Sequence, residues 1–341
     1  MTKKLYIVTL EPLEQRYTKQ WYSFWKKEFS KFFNVIYIDG ISKHQDIKTG
    51  RFLDVNQTNI WKAQQIMEIA YLFDIQAIKD DDIFLFMDGW NYAITALKYM
   101  AQLQNIKIKI YAYFHAGSWD EWDFITQAGF RQWASFDECA WLNAVDGSFV
   151  STRFHKHLIT SFFNGFITWK DIHVVGFPMD WKKEIKYVNQ NWTKQDMIVF
   201  PHRLDKEKQP ESLKWLKNHL SKYDYMKTME YKRTKKEYYE ILQQAKISFS
   251  ASLQETFGIG TVEALMLGAI PVVPYRLSYV ELYEKRFLYK DMLEAKSKIA
   301  YFIKNYSKKN VQLAIKRNQE KIYRQSLNAI PKMAKIMEAG K

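Results

Sequence analysis

Cysteine is all but missing. Cys139 is the only one in 341 residues, which excludes a disulfide scaffold and suits a reducing compartment. Glycine is scarce too, at twelve residues, about half of the roughly 7% usual in globular chains. The few that remain are expected where the backbone needs a positive φ or a close approach. No apolar run reaches the ~18 residues of a membrane-spanning helix. The opening segment, Lys3 and Lys4 followed by apolar residues 5–10 and then Glu11, is too short for a secretion signal, so a cytoplasmic location is expected. Neither an internal repeat nor a low-complexity tract occurs. What the chain has in quantity is apolar and basic material: 47% hydrophobic residues, 17% aromatics, and 51 Lys+Arg against 37 Asp+Glu for a net charge of +14. The apolar content supplies two cores at roughly 100–200 residues per domain. The positive surplus fits a nucleic-acid partner, an anionic membrane surface or lysine-rich solubility, and charge alone does not choose between them. Abundant Lys, Ile, Asn, Tyr and Phe beside little Gly is the composition that AT-rich coding produces.

Short apolar runs alternate with longer amphipathic stretches throughout. Residues 5–10, 35–38, 83–87, 108–114, 147–150 and 173–176 read as buried strands, with helical patterns such as 60–78 and 93–103 between them. A second strand series covers 197–200, 247–250 and 270–273. The fold expected is α/β, with two Rossmann-like, doubly wound parallel sheets facing across a cleft. The polar stretch 181–196 separates them, giving one domain at 1–185, a second at 186–310, and a C-terminal helix at 311–341 packing back on the first. In such sheets ligands lie outside the carboxyl ends of the strands, so motifs directly after strands carry most weight.

After the strand at 247–250 comes Glu255-Thr256-Phe257-Gly258-Ile259-Gly260, then Glu263 in the helix that the glycines open. Glycines there let backbone N–H groups approach a ligand, and a helix start favours phosphate charge. A carboxylate in the loop accepts from sugar hydroxyls, and one on the helix from ribose hydroxyls. The layout suits a nucleotide-sugar. After the strand at 197–200, Arg203 and Lys208 flank a loop where a diphosphate leaving group would gather negative charge, which a cation pair stabilises. His115 ends the strand at 108–114, and Asp88 ends the strand at 83–87 as either an orienter of an acceptor hydroxyl or a loop cap.

The string from Glu255 to Val272 resembles the signature of retaining GT-B glycosyltransferases, E-x-F-G-x-x-x-x-E-A-x-x-x-G-x-P-V, with one extra residue between Gly268 and Pro271. That resemblance implies that Glu255 holds the donor sugar and Glu263 the ribose, with Thr256, Phe257, Gly258 and Ile259 beside sugar and phosphate. It implies the diphosphate role for Arg203 and Lys208, and a place near the donor sugar for His115. The chain is also similar to the family that includes the tRNA-queuosine mannosyltransferases, through Leu10-Glu11-Pro12, Lys19-Gln20-Trp21, Tyr113-Phe114-His115, Phe149-Val150-Ser151 with Phe154-His155, Pro201-His202-Arg203 and Glu255-Thr256-Phe257-Gly258. Two departures matter. Gln15-Arg16 stands where that family has Gly-Gly, and Ala116-Gly117-Ser118-Trp119 replaces the polar residues after its histidine, so a different acceptor is expected.

The implied donor is a UDP-sugar and no metal is obligatory, because in a front-face retaining reaction the departing phosphate oxygen takes the acceptor proton. Asp80-Asp81-Asp82 reads as a solvated turn. Three acceptors fit: a hydroxylated base in DNA such as the 5-hydroxymethylcytosine that bacteriophages glycosylate, a modified tRNA base, or a surface or lipid-linked glycan. The first is expected from the charge and from tryptophans at 119, 122 and 133 with Arg131 and Arg153 for stacking and phosphates. Gln15, Arg16, Asp88 and Trp119 are the acceptor-side candidates. An inactive scaffold that binds nucleic acid is the reading of another class.

Overall fold

The structure is a computed structural model, which describes residues 3–13, 16–41, 55–168, 171–185, 192–231 and 233–340. The chain divides into two compact units, 1–179 with 327–341, and 180–326. In chain order the first unit contains β1 (Lys4–Val8), α1 (Tyr17–Phe29), β2 (Asn34–Ile38), α2 (Val55–Asp74), β3 (Ile83–Phe86), α3 (Ala93–Leu103), β4 (Lys109–Tyr113), α4 (Phe124–Gln127), α5 (Arg131–Ala144), β5 (Gly147–Val150), α6 (Arg153–Phe162) and β6 (Ile172–Val174). The second runs through α7 (Trp181–Glu184), β7 (Gln195–Phe200), α8 (Glu211–His219), β8 (Asp224–Lys227), α9 (Lys235–Gln244), β9 (Ala245–Phe249), α10 (Ile259–Met266), β10 (Ile270–Pro274), α11 (Tyr279–Leu282), β11 (Leu288–Tyr289), α12 (Met292–Lys304) and α13 (Lys309–Leu327). The final helix, α14 (Ala329–Ala339), belongs to the first unit and lies against α1.

Each unit is built on one parallel sheet, ordered β2-β1-β3-β4-β5-β6 and β11-β10-β9-β7-β8. Every paired strand is parallel. The central strands carry no alternation because both faces are covered: β3 is Ile-Phe-Leu-Phe, buried at every position. Val8 at the end of β1 pairs with Ile38 on one side and Phe86 on the other. The first core gathers Tyr6, Phe84, Phe86 and Ile110 from the strands with Ile69, Leu97 and Trp141 from the helices. In both sheets the chain reverses its winding direction beside the first strand of the unit, between β1 and β3 and between β7 and β9. At such a switch point the loops diverge and leave room for a ligand at the carboxyl edge.

Two edge strands, β8 and β11, have no counterpart in the apolar runs of the sequence. β8 reads Asp-Tyr-Met-Lys and is exposed or half-buried throughout, so its hydrophobic signal is weak. The helical tail breaks into two helices at Asn328, and the boundary between the units falls after Ser326 rather than at residue 311. The physical reason is the inward face of α13: Val311, Ala314, Ile315 and Ile322 are buried, and Gln319 donates to the Leu265 carbonyl at 2.8 Å. No described helix is long and apolar enough to cross a membrane.

Candidate functional site

At the switch point of the second unit, β7 delivers Pro201, His202 and Arg203, while β9 delivers the loop that leads to α10. A 3-10 turn at Lys206–Lys208 follows the first of these and ends on Gln209 at φ 52°. Gly258 caps α10 at φ 81°, a conformation that side chains resist. Gly260 serves a different need. A Cβ there would lie 2.3 Å from the Pro201 carbonyl oxygen, so the first turn of α10 can rest against the end of β7 only because that atom is missing.

This approach brings Lys208 and Glu255 together although 47 residues separate them. The ammonium of Lys208, 7% exposed, donates to Glu255 Oε1 at 3.0 Å, to the Gln254 carbonyl at 2.5 Å and to Gln254 Oε1 at 3.1 Å. His202 Nδ1 lies 3.5 Å from the same carboxylate oxygen. Burial pushes the His202 imidazole down to about 4, against the pull of Glu255, so the ring is neutral at physiological pH. Arg203 is half-buried and salt-bridged to Asp205 at 2.8 Å and Glu207 at 3.2 Å. Both expected cations are thus held by carboxylates of the protein itself. The loop backbone is fixed from below: Leu253 N donates to the Glu207 carbonyl at 2.7 Å, and Arg276 donates to the Ser252 carbonyl at 3.0 Å and the Ala251 carbonyl at 2.7 Å.

Glu263, on the second turn of α10, is buried and receives three donors from α9. Lys235 reaches Oε1 at 2.6 Å, Tyr239 the same oxygen at 3.0 Å, and Tyr238 reaches Oε2 at 2.9 Å. Sequence reading missed these partners. Their one signal is Lys235 in the first turn of a helix opened by a Thr234–Glu237 capping box, where the macrodipole disfavours a cation. Phe257 is buried and stacks on Trp181, centroids 6.3 Å apart and planes at 9°, so its side chain packs rather than binds. Thr256 and Ile259 are half-buried beside it.

In the first unit, His115 follows β4 and joins two neighbouring strand ends. Its Nε2 lies 2.9 Å from the Met87 carbonyl and must donate, which leaves Nδ1 to accept from the Tyr17 hydroxyl at 3.3 Å. Burial lowers its pKa, against the pull of Asp88. Asp88 caps its own turn, accepting from Trp90 N at 3.2 Å, and pairs with Lys62 at 3.4 Å. Arg16 is the residue preceding α1, and Gln15 lies outside the described residues. The expectation for Trp119 needs correction. Its ring is 4% exposed and packed against Phe114, His155 and Phe163, which leaves no face for an acceptor base. Arg131 is committed to the Ser118 carbonyl at 3.1 Å and to the face of Phe162. Beneath this loop the buried carboxylate of Glu138 accepts from Trp90 Nε1 at 3.0 Å and from the backbone N–H and hydroxyl of Ser118, tying the β3 and β4 loops together.

No family model matches the chain, and no curated protein sequence is significantly similar to it. Its fold has many counterparts among solved structures. Sucrose-phosphate synthase from Thermosynechococcus elongatus matches with a TM-score of 0.65 at 10% identity, over 99% of this chain and 98% of that one. The α,α-trehalose-phosphate synthase (UDP-forming) from Burkholderia vietnamiensis gives 0.64 at 7% identity over 99% of each chain. The pneumococcal O-GlcNAc transferase GtfA, solved with UDP and GlcNAc, gives 0.54 at 13% identity over 80% of this chain. The chain spans about three fifths of the length of GtfA (59%) and of the matched chain of the GtfA/B complex (61%). Two parallel-sheet α/β units with these likenesses define the GT-B fold.

Proposed function

We propose that the protein is a retaining glycosyltransferase that moves a sugar from a nucleotide-sugar, a UDP-sugar in the simplest case, to a hydroxyl acceptor. The observation that carries this reading is the pairing of Lys208 with Glu255 at one switch point, with Arg203 on the same loop as Lys208 and Glu263 on the helix that Gly260 lets rest against the end of β7. In the reaction the bond from the anomeric carbon to the phosphate oxygen breaks and a bond to the acceptor oxygen forms on the same face. The acceptor proton passes to the departing phosphate oxygen, so no protein base is needed. Arg203 and Lys208 turn from their carboxylate partners to the diphosphate and stabilise the charge it gathers. Glu255 accepts from the donor sugar, Glu263 accepts from the ribose, and the N–H groups at the start of α10 face the phosphates. With both ring nitrogens engaged within the unit, His115 acts as a positioning residue that fixes the ends of β3 and β4. The cation pair carries the neutralising role, and turnover is expected to persist in EDTA.

For the acceptor, the hydroxylated nucleobase loses support. Trp119 is buried and Arg131 is engaged, while Trp133 stays exposed; residues 110–153 hold two Arg and no Lys against six Asp and Glu, in a chain whose net charge is +14. Phosphate binding needs the opposite sign. A neutral glycan-type hydroxyl acceptor is the reading we adopt. The test measures nucleotide release and sugar transfer from a panel of UDP-sugars, with hydroxymethylcytosine DNA, bulk tRNA and oligosaccharides as acceptors. Release is expected from at least one donor and is lost in Glu255→Ala. A folded wild-type protein that releases no nucleotide from any donor refutes the proposal.

A further inference from the structure

The switch point of the first unit carries an acidic side chain on each of three neighbouring strand ends. Asp39 follows β2, Glu11 follows β1 and Asp88 follows β3. Two of them are used internally. Asp39 accepts from the Thr9 hydroxyl at 2.6 Å and the Tyr22 hydroxyl at 2.7 Å, while Asp88 caps its turn and meets Lys62. Glu11 is different. The residue is 7% exposed, and its buried Oε1 has no hydrogen-bond donor among the described residues. Its surroundings are nonetheless firmly built. The Glu11 carbonyl accepts from Leu13 N at 3.0 Å, and the Thr9 carbonyl just before it accepts from Gln65 Nε2 at 2.8 Å and Trp61 Nε1 at 3.2 Å.

A buried carboxylate oxygen without a donor costs stability that a leucine or glutamine of similar size would not. The fold spends donors freely on the neighbouring carboxylates and none on this one. We propose that Glu11, together with Asp88, forms a hydroxyl-binding subsite at the β1/β3 switch point, and that it takes a neutral saccharide acceptor whose hydroxyl donates to Glu11 Oε1. The inference rests on the glycosyltransferase reading of the second unit. Glu11 and Asp88 follow neighbouring strands that run about 4.8 Å apart, their loops touch where Leu10 N donates to Met87 Sδ at 3.5 Å, and a carboxylate acceptor on each favours a hydroxyl donor over a phosphate.

Saturation-transfer NMR on the full chain tests this, with methyl α-D-glucoside, methyl α-D-mannoside and maltotriose as acceptor probes and UDP as donor probe. At least one saccharide is expected to bind the wild type, about tenfold more weakly to Glu11→Gln, where the acceptor oxygen is retained without its charge. Glu11→Leu should lose saccharide binding, and both variants should keep UDP binding and melt no lower than the wild type. Equal saccharide binding in wild type and Glu11→Leu overturns the proposal. So does UDP binding with no saccharide binding, or a hydroxymethylcytosine DNA duplex that binds in place of the saccharides. If both variants melt lower and lose UDP as well, Glu11 is a packing residue and the subsite is refuted. Absence of UDP binding in the wild type counts against the donor reading instead, and leaves the saccharide result to stand or fall alone.

Discussion

Acidification should weaken the protein through His155. This residue lies in the first turn of α6, where its backbone N–H donates to the Thr152 hydroxyl at 3.2 Å, and its ring is fully buried with Trp119 5.7 Å away. Burial pushes the imidazole from 6.5 down to about 3, with a smaller contribution from His115. The positive end of the helix acts in the same direction. Because the folded value lies below the unfolded one, the unfolded chain binds the extra proton first. Stability is therefore lost as pH falls from about 6.5, and the loss levels off near 3. At ~1.4 kcal/mol per unit, the drop from neutral to pH 4.5 removes about 2.5 kcal/mol, and the full window about 5. Set against a total of ~5–15 kcal/mol, this is a large share. Urea unfolding of wild type and His155→Leu at pH 7.5, 6, 5 and 4.5 measures it, since titrating groups that do not interact with His155 cancel in the difference and the His115 coupling is the smaller part. The variant should gain about 2.5 kcal/mol relative to wild type across that range. Parallel pH profiles, or an NMR titration of the His155 ring near 6.5, would refute the argument.

Three further outcomes are expected. Gly260→Ala gains about 1 kcal/mol of helix propensity but drives a Cβ into the Pro201 carbonyl, so thermal unfolding should show a net loss of about 1–2 kcal/mol and calorimetry a weaker UDP complex. Lys208→Met strips Glu255 of its principal donor, and unfolding free energy should fall by about 2–3 kcal/mol while UDP affinity drops in the same samples. Asp123 is raised to about 7 by burial and then by Asp120 and Glu138, so its folded value exceeds the unfolded one and stability declines as pH rises from about 4 to 7. Asp123→Asn keeps the cap to Ile125 N and should be about 4 kcal/mol more stable than wild type at pH 8, with the difference vanishing near pH 4.

Most of the strands are legible in the sequence because a strand covered on both faces has to be apolar along its whole length, as Ile83 to Phe86 is. β8 escaped because it is an edge strand with little burial and a polar composition. At the donor site, Glu255, Gly258, Gly260 and Glu263 stand in one local string, so their spacing on a loop and the first turns of a helix follows from chain geometry. Their partners do not. Lys208 comes from a strand end 47 residues away, and Lys235, Tyr238 and Tyr239 come from the preceding helix.

Trp119 shows the same limit from the other side. Its composition suggested an exposed stacking surface, but its depth was set by Phe114, His155 and Phe163 closing over it. Glu11 stood in a recognisable motif, yet nothing local said that its carboxylate would be buried without a donor while Asp39 and Asp88 would each receive one. By itself the sequence determined the elements, the glycine-opened helix and the kinds of chemistry available, since these depend on periodicity and on neighbours within a few residues. Only the tertiary structure decided which charges are paired and which polar atom is left wanting, because parallel pairing joins strands across whole helical crossovers, and the partner of each side chain is chosen by that distant contact.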